Sequence, residues 1–201
     1  MTGGERDRVI VLSDGDVASL VALKSAAEMA QGGESSVLLV PRRADRLRVL
    51  SRQAAAHRAE ILETVTESGR DADMLLAVGR RAGEKRVSRV VWPAHGGVAG
   101  DPESVDLDRA SAIANTALLV ERLLEIESAV APAIEVPFAD LSDRQIAELA
   151  ADLGLVPGEV WWTGRSSDDQ VLAAERWGAA FDAAGVPLRA SGVPRADARR
   201  G

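Results

Sequence analysis

Arg8-Val9-Ile10-Val11-Leu12-Ser13-Asp14-Gly15-Asp16-Val17-Ala18-Ser19 is the stretch on which the fold turns. Arg8 to Leu12 is a short, largely β-branched apolar run, the kind that forms a strand buried on both faces. It stops at Ser13-Asp14-Gly15-Asp16, where turn-forming residues break it. From Val17 the period changes. Val17, Leu20, Val21, Leu23 and Ala27 recur at helical spacing as far as Ala30, ahead of Gly32-Gly33. A strand, a tight turn and a helix in succession open an α/β sheet. The turn aims backbone N–H groups and the positive end of the helix dipole at one point, a geometry suited to an anion.

The alternation continues along the chain. Ser36 to Val40 predicts a second strand ended by Pro41, Ala44 to Glu67 a long helix with a break near Ala55, and Asp71 to Glu84 a further helix. Arg89 to Trp92 predicts a third strand, and Pro93 to Asp101 a glycine-rich loop. Asp106 to Ser128 predicts an amphipathic helix with Ile113, Leu119, Leu123 and Ile126 on its apolar side, and Ala133 to Val136 a fourth strand. Ser142 with Gln145 makes a capping box for a helix that ends at Leu153-Gly154. Ser167 caps a last helix through Ala184, closed by Gly185 and Pro187.

This order predicts a doubly wound, mostly parallel sheet of four or five strands, with helices on both faces and a helical C-terminal region. The expected organisation is one domain over 1–188, with a core over 1–140, a helical part over 141–188 and a loose tail over 189–201. Ligands of such sheets sit beyond the carboxyl ends of the strands, so the first loop is the place to expect a site.

Composition narrows the chemistry. The 201 residues include no cysteine, which removes disulfides, thiolate zinc sites, iron–sulfur clusters and a Cys nucleophile. His57 and His95 are the only histidines, too few for a His-rich metal site. A net charge of −7 weighs against nucleic acid as a partner. No apolar run reaches the roughly 18 residues of a membrane span, and the Met1-Thr2-Gly3-Gly4-Glu5-Arg6-Asp7-Arg8 start has no apolar signal region, so a cytoplasmic location is the expectation. The arginines between Arg42 and Arg58 lie at helical spacing among apolar residues and are expected on a solvated face.

Three stretches carry a resemblance to the 7-cyano-7-deazaguanine synthases, members of the PP-loop ATP pyrophosphatases. That family has S-G-G-x-D-S after its first strand; Ser13 and Gly15 match it, while Asp14, Val17 and Ala18 replace the first Gly, the Asp and the second Ser. Pro137-Phe138-Ala139-Asp140-Leu141-Ser142, with Ile146, Leu149, Leu153 and Gly154 beyond it, resembles the family's P-L-x-D-L-S-K-x-E-I stretch, but Asp143 and Gln145 stand for its Lys and Glu. Ala180-Phe181-Asp182-Ala183-Ala184-Gly185-Val186-Pro187 resembles its closing A-F-x-x-A-G-V-P. Weaker similarities run through His57-Arg58-Ala59-Glu60-Ile61 and from Met74 to Trp92, and the chain between Glu60 and Met74 is much shorter than the family's.

The resemblance implies an adenine nucleotide alpha-hydrolase-like fold and an ancestral reaction. In that reaction ATP adenylates a carboxylate, and ammonia then displaces AMP on the way to a nitrile in queuosine-precursor synthesis. It also implies a zinc held by four cysteines, whose places here fall at Asp168, Val171, Ala174 and about Thr163, so no zinc is expected. An apolar stripe through Val171, Leu172 and Trp177 is the expected substitute for the metal, and Trp161, Trp162 and Trp177 are expected in the core or an interface.

On this reading the chain is a degenerate homologue, a pseudoenzyme without ligase activity. Its nucleotide-binding candidates are Ser13, Asp14, Gly15, Asp16 and Ser19, and it has no assigned catalytic or metal residue. Asp14 and Asp16 bring negative charge to a turn shaped for phosphates. ATP is the candidate cofactor; an adenine nucleotide and a second copy of the chain are the candidate partners. One alternative is an enzyme of altered chemistry with Asp14, Asp16 and His95 around one pocket, His95 being placed for general base work. Gathering of Asp14, Asp16, Asp101 and Asp140 around Mg²⁺ is a weaker expectation than their use in turns and caps. A last alternative is an interaction protein whose cleft is filled and whose Asp106–Ser128 helix and tryptophans form a dimer surface.

Overall fold

Five parallel strands in the order β3-β2-β1-β4-β7 form the centre of the molecule. They are β1 (Arg8–Ser13), β2 (Ser36–Pro41), β3 (Glu60–Ile61), β4 (Arg89–Val91) and β7 (Ala133–Glu135). The computed structural model describes residues 8–30, 36–63, 70–128, 131–155, 159–164 and 167–186. The expected glycine stop at Gly32-Gly33, Pro187 and the tail lie outside the described residues.

β1 is the middle strand. Val9 pairs in register with Val37 on one side and Arg89 on the other. Alternation along the pleat sends Val9 and Val11 to one face, and Ile10 and Leu12 to the other. The first face is covered by α1 (Val17–Ala30), α2 (Leu47–Ala56), α5 (Asp143–Asp152) and α6 (Asp168–Ala183). The second is covered by α3 (Asp71–Glu84) and α4 (Leu107–Glu127). The sheet is therefore doubly wound, as expected. α1 is apolar almost all round because it is enclosed, with Leu20, Val21, Leu23 and Ala26 all buried.

Three local expectations are corrected. The long helix over Ala44–Glu67 ends at Ala56: a short 3-10 turn over Ala44–Arg46 leads into α2, and Arg58 then takes a left-handed φ of 55°. The Ala59 N–H closes back on the Ala54 carbonyl, 2.8 Å away, and the chain turns to lay Glu60–Ile61 beside β2. No glycine marks that stop. The loop over Pro93–Asp101 contains β5 (Gly97–Val98), paired antiparallel with β6 (Asp101–Val105). Gly100, at φ 87°, supplies the turn.

The third correction concerns α4. Its buried stripe is Ala110, Ile113, Ala117, Val120 and Leu124, whereas Leu119 and Ile126 are 69% and 83% exposed. Two neighbouring stripes of this helix are apolar. The inner one packs on α3, where Gly79 leaves room for Leu124: a Cβ there would fall 2.2 Å from Leu124 Cδ1. Both N-caps read from the sequence are present: Ser142 and Gln145 exchange their hydrogen bonds, and Ser167 accepts from the Gln170 N–H.

Candidate functional site

The strand order reverses between β1 and β4, and the carboxyl ends of these two strands open onto a cleft of about 360 Å³. Its walls come from distant parts of the chain. Asp14, Asp16 and Ser19 stand at the start of α1, Arg42 follows β2, Trp92 to His95 follow β4, and Arg109 and Thr116 belong to α4. Asp71 opens α3 and pairs with Arg42 across the rim.

The five residues named from the sequence divide. Asp14, Asp16 and Ser19 line the cleft, but Ser13 and Gly15 do not. Ser13 is fully buried and its Oγ accepts from the Gly15 N–H at 3.2 Å. Gly15, at φ 79°, turns its α-carbon towards Leu50, Val49 and Trp161, away from the opening.

Three of the loop's backbone donors, the Gly15, Asp16 and Val17 N–H groups, are taken by its own side chains. Asp14 Oδ1 accepts from the Asp16 N–H at 3.0 Å and from the Ser19 hydroxyl at 3.1 Å. Asp16 Oδ1 accepts from the Val17 N–H at 2.8 Å and from the Trp162 indole N–H at 3.2 Å. Carboxylate oxygens thus occupy positions at the helix start that a phosphate would otherwise take. Burial, and then the neighbouring Asp14 carboxylate, push the Asp16 pKa up to about 6; the Val17 N–H and the Trp177 and Trp162 indoles only partly offset them.

Arg46 fastens the loop from outside. Its guanidinium lies 3.6 Å over the Trp161 ring and donates to the Asp14 carbonyl at 2.7 Å. This corrects the solvated-face expectation for the Arg42–Arg58 cluster: Arg43, Arg48, Arg52 and Arg58 are exposed, but Arg42 and Arg46 turn to the cleft and the loop.

His95 forms the far wall. Its Nε2 lies 3.1 Å from Asp143 Oδ1 and 3.1 Å from Arg176 Nη2. Asp143 is 1% exposed and takes two hydrogen bonds from Arg176. Burial alone would raise its pKa, but the bonds from His95 and Arg176 outweigh that and hold it low. Arg176 also donates to the Gly97 carbonyl at 3.1 Å, tying α6 to the hairpin. The cation of this corner comes from α6, where Arg176 lies across from Asp143 at the start of α5. Arg176 carried no sequence signal: it falls between Ala174, the last of the places assigned to zinc ligands, and the closing stretch from Ala180.

Other candidates fall elsewhere. Asp101 sits exposed on β6 with Ser104 Oγ 2.6 Å away, and Asp140 is exposed. No group of three or more His, Asp or Glu side chains able to hold a metal occurs among the described residues, and Asp101 and Asp140 do not join Asp14 and Asp16 in the lining of the cleft. His57 caps the end of α2, where burial lowers its pKa. Of the residues at the zinc places, Ala174 packs in the core and Thr163 Oγ1 donates to the Val160 carbonyl. Trp177 and Trp162 are core residues as expected, but Val171 and Leu172 are 38% and 64% exposed and do not join that packing.

No family model and no curated protein matches the chain. Among solved structures it is similar to a universal stress protein crystallised in complex with cAMP, at 16% identity over 68% of this chain and 100% of that one, with a TM-score of 0.39. It is similar also to a short-chain dehydrogenase/reductase of Serratia marcescens, at 18% identity over 74% of this chain and 69% of that one, with a TM-score of 0.38. A doubly substituted variant of the Serratia protein gives a TM-score of 0.39 at the same identity. Likeness at this level carries no argument about ligand or activity. No helix among the described residues is long and apolar enough to cross a membrane.

Proposed function

We propose that this chain is a ligase-inactive relative of the PP-loop 7-cyano-7-deazaguanine synthases, with at most weak affinity for adenine nucleotides. The observation that carries the reading is the first loop, in which Asp14 and Asp16 accept from the Asp16 and Val17 N–H groups and the Ser19 hydroxyl, donors that a pyrophosphate would otherwise use. Two carboxylates facing a polyphosphate would add repulsion on the order of 1 kcal/mol per close charge pair even at high dielectric. Isothermal titration with ATP and Mg²⁺ tests it. Heats that do not saturate at millimolar nucleotide are expected, and a micromolar Kd would overturn the reading.

A second reading has its own observation: the cleft is open, and Asp14, Asp16 and His95 share it. It supports a retained ligand site of altered chemistry at the same sheet edge. A scaffold role would instead use the outer stripe of α4, where Leu119, Leu123 and Ile126 stand exposed as a surface for a second copy.

A further inference from the structure

Counting which charges of the cleft are already paired leaves a specific remainder. Arg42 is engaged by Asp71, and Arg176 by Asp143. Asp16 has only neutral donors, the Val17 N–H and the Trp162 and Trp177 indoles. Asp14 has one ion-pair contact, to Arg46 at 3.9 Å, and the Arg43, Arg46 and Arg176 guanidiniums lie within electrostatic range of the two carboxylates without a close pair to Asp16. Arg109, exposed on α4 at the cleft's lining, has no ion-pair partner among the described residues, and its backbone N–H donates to the Asp106 carboxylate. His95 is nine-tenths buried with Nε2 committed to Asp143 and Arg176, and its other ring nitrogen, Nδ1, has no partner among the described residues. Nδ1 is thus the ring nitrogen left without a protein partner on a residue that lines the cleft.

We propose that the cleft binds a small zwitterion, its compact cation set against Asp14 and Asp16 and its anion against Arg109 and the free edge of His95. A short apolar spacer between the two would lie on Trp92, Ala94 and Ile113, which furnish the apolar part of the wall. Unpaired charge within a partly desolvated cleft favours a ligand of opposite sign, and two unpaired regions of opposite sign select a ligand carrying both. Size agrees: about 360 Å³ is at the lower end for small-molecule sites. A nucleotide triphosphate satisfies only the Arg109 side and sets its negative charge against the carboxylates. An α- or ω-amino acid satisfies both.

The inference rests on the reading that the cleft still takes a ligand. Titration calorimetry of the full chain with 4-aminobutyrate, 6-aminohexanoate and L-lysine tests it, with hexylamine and hexanoate as single-charge controls and ATP in parallel. At least one zwitterion is expected to saturate below about 1 mM, with each control about tenfold weaker or more. Asp16→Asn and Arg109→Gln are each expected to weaken that zwitterion about tenfold, while Asp101→Asn, outside the cleft, leaves it unchanged. Hexylamine binding as tightly as the zwitterions, or affinity indifferent to Arg109→Gln, would overturn the proposal in favour of a simple cation site. Saturation by ATP with none of the zwitterions would keep the cleft as a ligand site and overturn the zwitterion. Silence from every probe would overturn both.

Discussion

The Arg176 guanidinium grips the Asp143 carboxylate with two hydrogen bonds, 2.5 Å from Nε to Oδ2 and 2.7 Å from Nη2 to Oδ1. Asp143 is 1% exposed, so the pair is desolvated on one side and its worth lies in not being broken. Arg176→Met leaves a buried, uncompensated carboxylate and is expected to cost about 3–5 kcal/mol. Arg176→Met combined with Asp143→Leu removes both charges and should recover most of the loss. Thermal unfolding of the two single variants and the double variant measures this; equal Tm for the double and Arg176→Met alone would refute it.

Asp16 governs a second prediction, one that depends on pH. Its folded pKa of about 6 lies above the ordinary 3.8, so the ionised form is the disfavoured one. The stability linked to its proton is complete below about pH 4 and is lost as pH rises through about 6. Asp16→Asn keeps an oxygen for the Val17 and Trp162 donors and abolishes the titration. It should stabilise the protein at pH 7.5 by an amount on the order of 1–2 kcal/mol, and by much less at pH 4.5. Tm measured across that range decides it: a gain independent of pH would mean that Asp16 does not titrate there.

Gly97 is expected to tolerate no side chain. A Cβ there would fall 2.0 Å from Asp143 Oδ1 and 3.0 Å from His95 Cδ2. The carboxylate cannot yield without giving up its Arg176 bonds. Gly97→Ala should therefore lower stability by about 1–3 kcal/mol, read by denaturant unfolding.

Gly79 supplies a parallel case in the apolar core, with a neighbour that can be trimmed. Gly79→Ala drives a methyl into Leu124 at the α3–α4 crossing and should cost about 1–3 kcal/mol. Leu124→Ala in the same chain relieves the clash, so the double variant should lose less than the sum of the two single losses.

The outer stripe of α4 is a question of assembly. If a second copy covers it, Leu119→Glu with Ile126→Glu should halve the mass seen by light scattering, and it should leave the monomer's fold intact because both side chains are largely exposed. An unchanged mass would remove α4 as the dimer surface.

Much of the scaffold was legible because it is written in local rules. The buried strands read as unbroken apolar runs, and the bounds of α1 and α3 agree with the period and the flanking residues. Ser142, Gln145 and Ser167 announce helix starts through hydrogen bonds made within a single turn. Where the sequence misled, two local solutions competed. Glu60–Ile61 fits a helical period, but pairing with Leu38 and Leu39 beside β2 draws it into the sheet. Leu119, Leu123 and Ile126 are as apolar as any core residue, yet α3 and the sheet pack on the adjacent stripe of Ala110, Ile113, Ala117, Val120 and Leu124.

The sequence by itself determined a doubly wound sheet, a turn at the end of its first strand, and two carboxylates within that turn. Those facts follow from short-range propensity and from residue types within one loop. Only the tertiary structure decided which charges meet. Arg42, Arg109, His95 and Arg176 reach one cleft from separate parts of the chain, and Asp143 is neutralised by a guanidinium 33 residues away. Charge pairing depends on distance in space and on burial, neither of which is local along the chain.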